Sequence, residues 1–117
     1  MKKILIVEDE KTQQILYEEE LSEMGYSLQI ASDGEEALQM ARSERPDLVI
    51  LDIKMPGISG LEVLQDLLND EPRIPVIINT AYTHYKDDFM SWAADEYIVK
   101  SSDLTELKNA VRKILKS

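Results

Sequence analysis

Five short apolar runs, separated by amphipathic stretches, constrain the fold of this chain more than any other feature. The runs are residues 3–7, 28–31, 48–51, 75–78 and 97–99. Runs this rich in isoleucine, valine and leucine are typical of strands buried on both faces, and strands that alternate with helices form parallel sheets. The pattern predicts an α/β fold, with a single doubly wound, five-stranded parallel sheet flanked by five helices.

The handedness of their connections restricts the order of the predicted strands. Right-handed crossovers leave few topologies, and the flavodoxin-like order 2-1-3-4-5 places the first and third strands side by side. Ligands of open parallel sheets bind outside the carboxyl ends of the strands, where the crossover direction reverses. Asp9 and Asp52 follow these two strands, so we expect them to meet there.

Helical periodicity fills the stretches between the runs. The predicted helices lie at about residues 10–24, after 34, after 61, near 89–93 and after 104. Glu20 is a polar exception on the inward arc of the first helix, which Gly25 should end. Ser102 and Asp103 are the predicted N-cap of the last helix, with Glu106 three residues beyond Asp103.

The composition sets the class of protein. A chain of 117 residues suits one domain, here 1–117. Its formal net charge of -10, from 23 acidic and 13 basic residues, argues against direct binding of nucleic acid. There is no cysteine, which excludes disulfides and makes a cytoplasmic location the simpler expectation. The first apolar run is too short for a signal peptide, and no stretch reaches the length of a membrane span.

Four of the apolar runs lead into residues that can handle a phosphoryl group: Glu8 and Asp9, Asp52, Thr80, and Lys100. Carboxylates crowded at one sheet edge stay ionised only with a cation among them, and oxygen ligands without cysteine or histidine favour Mg²⁺. An aspartate beside that ion can attack a phosphoryl group, while a lysine and a hydroxyl neutralise and orient its oxygens. These residues predict phosphoryl chemistry at one edge of the sheet.

The same motifs resemble the receiver domain of two-component response regulators of the chemotaxis-regulator-like type, over the whole length of the chain. The motifs are Glu8-Asp9, Asp52 ahead of Met55-Pro56-Gly57, Thr80-Ala81, and Tyr97 with Lys100. The resemblance implies that Asp52 accepts phosphate from a histidine kinase or a histidine phosphotransfer protein. It also implies a Mg²⁺ ion held by Asp9, Asp52 and the Lys54 backbone carbonyl, with Glu8 acting through water.

The resemblance further implies how the signal is read and ended. Thr80 and Lys100 contact the phosphoryl oxygens, and Thr80 and Tyr97 move together. The change is then displayed on the face formed by the fourth helix, the fifth strand and the last helix. The domain is not an enzyme acting on a separate substrate, but it assists its own phosphorylation and dephosphorylation. The resemblance places the side chains of Lys54 and Tyr82 beside the path of the hydrolytic water. Both are long enough to obstruct it, so we expect slow self-dephosphorylation.

The chain departs from the family pattern near the last motif. Ser101 follows Lys100, where the family usually has proline. A cis bond without proline costs about 3–4 kcal/mol, so the Lys100–Ser101 bond is predicted to be trans. The stretch from Thr80 to Lys100 is also shorter than usual, which indicates a short or irregular fourth helix and an unusual output partner.

Three other functions fit parts of the sequence. A phosphohydrolase of the haloacid dehalogenase type needs Asp-x-Asp after the first strand, but Lys11 stands at the second position. A flavodoxin-like flavin binder needs a Ser/Thr/Gly-rich phosphate loop, and Glu8-Asp9-Glu10 would repel phosphate. A receiver-like interaction module without phosphorylation is disfavoured by the complete acidic set. The cognate kinase, the output partner, a homodimer, and attachment to a longer regulator are left open.

Overall fold

The five apolar runs form five parallel strands in one sheet. In this computed structural model they are β1 (Lys3–Val7), β2 (Ser27–Ala31), β3 (Leu48–Leu51), β4 (Val76–Thr80) and β5 (Glu96–Val99). The order is β2-β1-β3-β4-β5, as predicted. The residues that the structure describes are 1–55, 57–71, 73–81 and 93–116.

Four helices connect and follow these strands within the described residues: α1 (Lys11–Ser22), α2 (Gly34–Ser43), α3 (Gly60–Asp70) and α4 (Thr105–Leu115). They correspond to the first, second, third and last of the five predicted helices. The predicted helix near residues 89–93 lies outside the described residues, apart from Ala93. No helix among the described residues combines the length and the apolar character needed to cross a membrane.

The strand alternation divides the core between the two faces of the sheet. Leu5 and Val7 point toward α2 and α3, where they share a buried cluster with Val63 and Leu64. The alternate β1 residues pack on the opposite face, in a cluster supplied by α1 and α4. Because successive side chains of a strand point to opposite faces, β1 contributes to both cores.

Glu20, the polar exception on the inward arc of α1, has a partner in the tertiary structure. The Lys108 Nζ of α4 lies 2.5 Å from Glu20 Oε1. The ion pair therefore joins the two helices that cover one face of the sheet. The helix itself ends at Ser22, slightly before the predicted end, and Gly25 has a φ of 92°, a left-handed conformation that suits glycine.

The start of α4 differs by one position from the prediction. Leu104 occupies the N-cap position and supplies no side-chain hydrogen bond. Asp103 Oδ1 instead accepts from the N–H and the hydroxyl of Thr105, at 2.9 and 2.6 Å. Aspartate therefore stabilises the first turn through a local Asx-type contact. No peptide bond is cis in the described ranges, so the bond between Lys100 and Ser101 is trans, as predicted.

Candidate functional site

Three carboxylates meet where β1 and β3 end. Glu8 and Asp9 follow β1, and Asp52 follows β3, with its N–H donating to the Val7 carbonyl at 3.2 Å. Each of the three side chains offers an oxygen within 4.8 Å of the others. Glu8 and Asp52 are buried, whereas Asp9 is exposed. The parallel register of the strands thus brings together residues that are far apart in the sequence.

Lys100 joins the buried carboxylates from the end of β5. Its Nζ lies 2.6 Å from Glu8 Oε1 and 3.0 Å from Asp52 Oδ2. The Lys100 side chain is only 13% exposed. Its backbone N–H donates to the Thr80 carbonyl at 2.7 Å, which fixes the lysine to the end of β4. The ammonium group therefore approaches the acidic cluster from a defined direction.

The pKa values reflect the balance between burial and pairing. Burial acts to lower the pKa of Lys100, but the hydrogen bonds to Glu8 and Asp52 outweigh it and raise the pKa above its ordinary range. Burial raises the pKa of Glu8, and the hydrogen bonds from Lys100 and from the Glu10 N–H oppose that shift. Lys100 is therefore a permanent cation at neutral pH.

The site has the donor set and the open oxygen that a hard cation requires. Asp52 Oδ2 is held by Lys100, but Asp52 Oδ1 is buried without a hydrogen-bond partner among the described residues. Buried polar atoms are normally satisfied, so this oxygen is open to a partner such as a metal ion or a phosphoryl group. Three carboxylates and one ammonium group give the site a net negative charge. Carboxylate oxygens without nitrogen or sulfur ligands suit Mg²⁺.

The remaining predicted residues occupy neighbouring strand ends. Thr80 is fully buried at the end of β4. Tyr97 is half-buried on β5, opposite Ile78 of β4, and packs against the α2 and α3 side of the core. Lys54 is exposed, two residues after Asp52. Tyr82 lies outside the described residues.

A buried hydrogen bond beside the site was missed by sequence reasoning. Asn79 Nδ2 of β4 donates to the Tyr17 hydroxyl of α1 at 2.9 Å, and both side chains are buried. Tyr17 falls on the inward arc of α1, where its ring fits the apolar pattern. The signal that was available is its hydroxyl, because a buried tyrosine normally finds a polar partner.

Gly60 brings the start of α3 against the backbone of Asp52. Its N–H donates to the Ile53 carbonyl at 2.8 Å. A Cβ at this position would meet the Asp52 carbonyl oxygen and lie 2.6 Å from the Ile53 Cα. The predicted third helix starts only after residue 61, whereas α3 begins at Gly60, and the missing side chain permits a close approach of helix and strand end.

Comparison with known proteins identifies the class that this fold and site define. The model of the response regulator receiver domain family matches residues 4–112. The chain belongs to this family. Receiver domains are the phosphoacceptor switches of two-component signalling, which is the function of this domain.

Relatives and solved structures agree with that assignment. The alkaline phosphatase synthesis transcriptional regulatory protein PhoP of Bacillus subtilis is 37% identical over 117 residues, covering 98% of this chain and 49% of PhoP. The probable transcriptional regulator ycf27 of Guillardia theta is 40% identical, covering 97% of this chain and 45% of its own length. The chain thus spans about half the length of these curated relatives.

The response regulator TrrA of Thermotoga maritima, solved in complex with Mg²⁺-BeF, has a TM-score of 0.95 and 52% identity, covering 97% of this chain and 99% of that one. A second structure contains TrrA in complex with the histidine kinase ThkA, with a TM-score of 0.92, 52% identity, and coverage of 98% of this chain and 99% of that one.

Proposed function

We propose that Asp52 is the residue that accepts the phosphoryl group, from a histidine kinase or a histidine phosphotransfer protein. The observation that carries the proposal is the asymmetry of its carboxylate. Lys100 holds Asp52 Oδ2, while the buried Oδ1 has no hydrogen-bond partner in the described part of the chain. A carboxylate fixed at one oxygen and open at the other is oriented for attack.

Asp9, Asp52 and the Lys54 backbone carbonyl are the proposed ligands of a Mg²⁺ ion, with Glu8 acting through water. The mutual approach of the three carboxylates within 4.8 Å supports this set, as does the Mg²⁺-BeF complex of TrrA. When bound, the ion offsets the charge of the phosphoryl oxygens and of the carboxylates.

The transfer itself is a displacement at phosphorus. An Asp52 carboxylate oxygen forms a bond to phosphorus, the P–N bond of the phosphohistidine breaks, and the imidazole leaves with the electron pair. Lys100 balances the charge of the acyl phosphate product, because its ammonium already lies 3.0 Å from Asp52. Thr80 supplies a hydroxyl donor. The domain thus assists its own phosphorylation and, through an incoming water, its own dephosphorylation.

The change at Asp52 reaches the surface through Thr80 and Tyr97 in this proposal. The pairing of β4 with β5 supports such coupling, because Thr80 and Tyr97 lie on these neighbouring strands and the Lys100 N–H donates to the Thr80 carbonyl at 2.7 Å. The output face then comprises β5, α4 and the segment before β5. The proposed receiver domain occupies 1–117, and its output partner is recognised on this face.

Intact mass spectrometry after incubation with acetyl phosphate and Mg²⁺ tests the proposal. We expect one added phosphoryl group that is labile to base and absent when Mg²⁺ is omitted. The Asp52→Asn variant should gain none. Asp66→Asn, a half-buried aspartate of α3, is the matched control and should be modified like the wild type. A phosphoryl group retained in Asp52→Asn would refute the assignment.

A further inference from the structure

Gln14 is a buried polar residue in the first turn of α1, only 8% exposed. Its side-chain Nε2 donates to the Glu8 backbone carbonyl at 2.6 Å and to Ser32 Oγ at 3.2 Å. Its backbone N–H donates to the Glu10 carbonyl at 3.0 Å. Both the side chain and the main chain of Gln14 therefore donate hydrogen bonds to the segment that follows β1.

Two of these hydrogen bonds are made to the residues on either side of Asp9. The carbonyl before Asp9 accepts from the Gln14 side chain, and the carbonyl after Asp9 accepts from the Gln14 main chain. The Asp9 side chain is short and exposed, so the direction of its carboxylate depends on the main chain at residues 8–10. The bond to the Glu10 carbonyl is made by the main chain and does not depend on the residue type at position 14. The bond to the Glu8 carbonyl needs the Gln14 side chain, which thereby restrains the direction of the Asp9 carboxylate.

The same residue ties two loops of the site together. The Glu8 N–H donates to the Ala31 carbonyl at 3.0 Å, and Ser32, the next residue, accepts from Gln14. The Ser32 N–H in turn donates to Glu36 Oε1 of α2 at 2.7 Å. The segment carrying Glu8 and Asp9 is therefore attached to the end of β2 on both sides of the Glu8 peptide unit.

We propose that Gln14 is a positioning residue for Mg²⁺ binding, which it favours because its side chain holds the backbone carbonyl that precedes Asp9. The inference rests on the proposed function, in which Asp9 is a metal ligand. A ligand held in its bound orientation loses less freedom when the ion binds, so affinity rises without any contact between Gln14 and the ion.

Calorimetric titration of the metal-free protein with Mg²⁺ tests this role. Methionine matches the size of glutamine but has no N–H, so Gln14→Met removes both side-chain donations. We expect about a tenfold weaker Mg²⁺ affinity, the usual cost of losing a partner that orients a metal ligand. Gln65→Met, at an exposed position on α3, is the matched control and should bind Mg²⁺ like the wild type.

Phosphorylation by acetyl phosphate separates positioning from general destabilisation. The Mg²⁺ concentration for half-maximal rate should rise in Gln14→Met, while the rate at saturating Mg²⁺ stays close to that of the wild type. Unchanged Mg²⁺ affinity in a folded Gln14→Met protein overturns the inference, even if its melting temperature falls. A wild-type protein that is phosphorylated without binding Mg²⁺ would overturn the metal site itself, and this distinguishes the two failures.

Ser32→Ala provides a second variant in case Gln14→Met does not fold. It removes only the weaker of the two acceptors of Gln14 and lies at an exposed position. We expect a smaller loss of Mg²⁺ affinity in the same direction. Wild-type affinity in Ser32→Ala, combined with a Gln14→Met protein that is unfolded by circular dichroism, means that Gln14 serves the fold alone and overturns the inference.

Discussion

Lys100 determines the electrostatic character of the site at the scale of single residues. It lies between Glu8 and Asp52, two carboxylates that are almost completely buried. Buried charges are tolerated when they are paired, and removing one partner leaves the other uncompensated. Lys100 therefore permits two acidic groups to remain in the interior, while Asp9 at the surface has no comparable need of it.

Asp9→Ala should abolish Mg²⁺-dependent phosphorylation without destabilising the metal-free fold. An oxygen of its carboxylate lies within 4.8 Å of carboxylate oxygens of Glu8 and Asp52. Removing the Asp9 carboxylate therefore relieves repulsion when no ion is present. Thermal melts with a chelator should show the variant at least as stable as the wild type. Added Mg²⁺ should raise the melting temperature of the wild type but not of Asp9→Ala.

The neighbouring residue supplies the control for that experiment. Glu10 is exposed and lies outside the three-carboxylate cluster, so Glu10→Ala should retain the stabilisation by Mg²⁺. A melting temperature of Asp9→Ala clearly below that of the wild type in chelator would contradict the repulsion argument.

The lifetime of the phosphorylated state should be set by Lys54 and Tyr82. Neither side chain offers the carboxylate or imidazole that most often serves as a general base for water. Both are long enough to obstruct the water. After removal of the phosphodonor, we expect slow decay in the wild type and faster decay in the Lys54→Asn, Tyr82→Glu double variant. Equal decay rates would mean that these side chains do not control hydrolysis.

At the scale of elements, the site depends on how helices begin and where they contact the strand ends. α3 starts at Gly60, against the backbone that carries Asp52. α1 contributes Tyr17, whose hydroxyl accepts from Asn79 beside Thr80. These contacts join elements that are separate in the sequence, and each one can be tested by a small change.

Gly60→Ala should destabilise the fold and slow phosphorylation. The added Cβ would meet the Asp52 carbonyl oxygen, and relief requires the backbone to move. Overpacking of this kind typically costs about 1–3 kcal/mol. Gly34→Ala, also at the first residue of a helix, is the control, because the atoms nearest to its Cβ would be side-chain atoms of Ile58 and Val63, which can move more easily than backbone. Urea denaturation should show a larger loss for Gly60→Ala; equal losses would contradict this reasoning.

Tyr17→Phe should reduce the free energy of unfolding by about 1–3 kcal/mol, because it leaves the buried amide of Asn79 without its acceptor. Replacing both partners removes the unsatisfied group. The Tyr17→Phe, Asn79→Leu double variant should therefore be more stable than the sum of the two single changes predicts. Strict additivity in this double-mutant cycle would show that the hydrogen bond contributes nothing to stability.

The whole molecule combines a two-faced apolar core with a strongly acidic charge of -10. Most of that charge is at the surface, where it is solvated. Glu8 is different, because burial raises its pKa. Its ionisation therefore affects the free energy of unfolding as the pH changes.

Stability attributable to Glu8 should fall as pH rises. A carboxyl with a raised pKa binds its proton more tightly in the folded state than in the unfolded state, so folding is favoured at low pH. The affected range extends from the ordinary pKa of 4.5 up to the raised value. Unfolding free energies of wild type minus Glu8→Gln, measured without Mg²⁺, should decrease across it. A difference that does not change with pH would show that Glu8 titrates normally.

The sequence by itself determined the architecture and the chemical members of the site. Apolar runs of strand length alternating with helical periodicity are local patterns, and right-handed crossovers leave few strand orders, among them the observed one. The residues that follow the strands then meet at one edge of the sheet. The proximity of Glu8, Asp9, Asp52 and Lys100 was therefore predictable from the sequence.

Only the tertiary structure decided which of these groups pair and what holds them. The contacts of Lys100 with Glu8, of Gln14 with the Glu8 carbonyl, and of Asn79 with Tyr17 cross between separate elements. Local periodicity marks a side chain as inward or outward but does not name its partner. Partner choice depends on distances of a few ångströms between packed elements, and these are set when the whole core assembles.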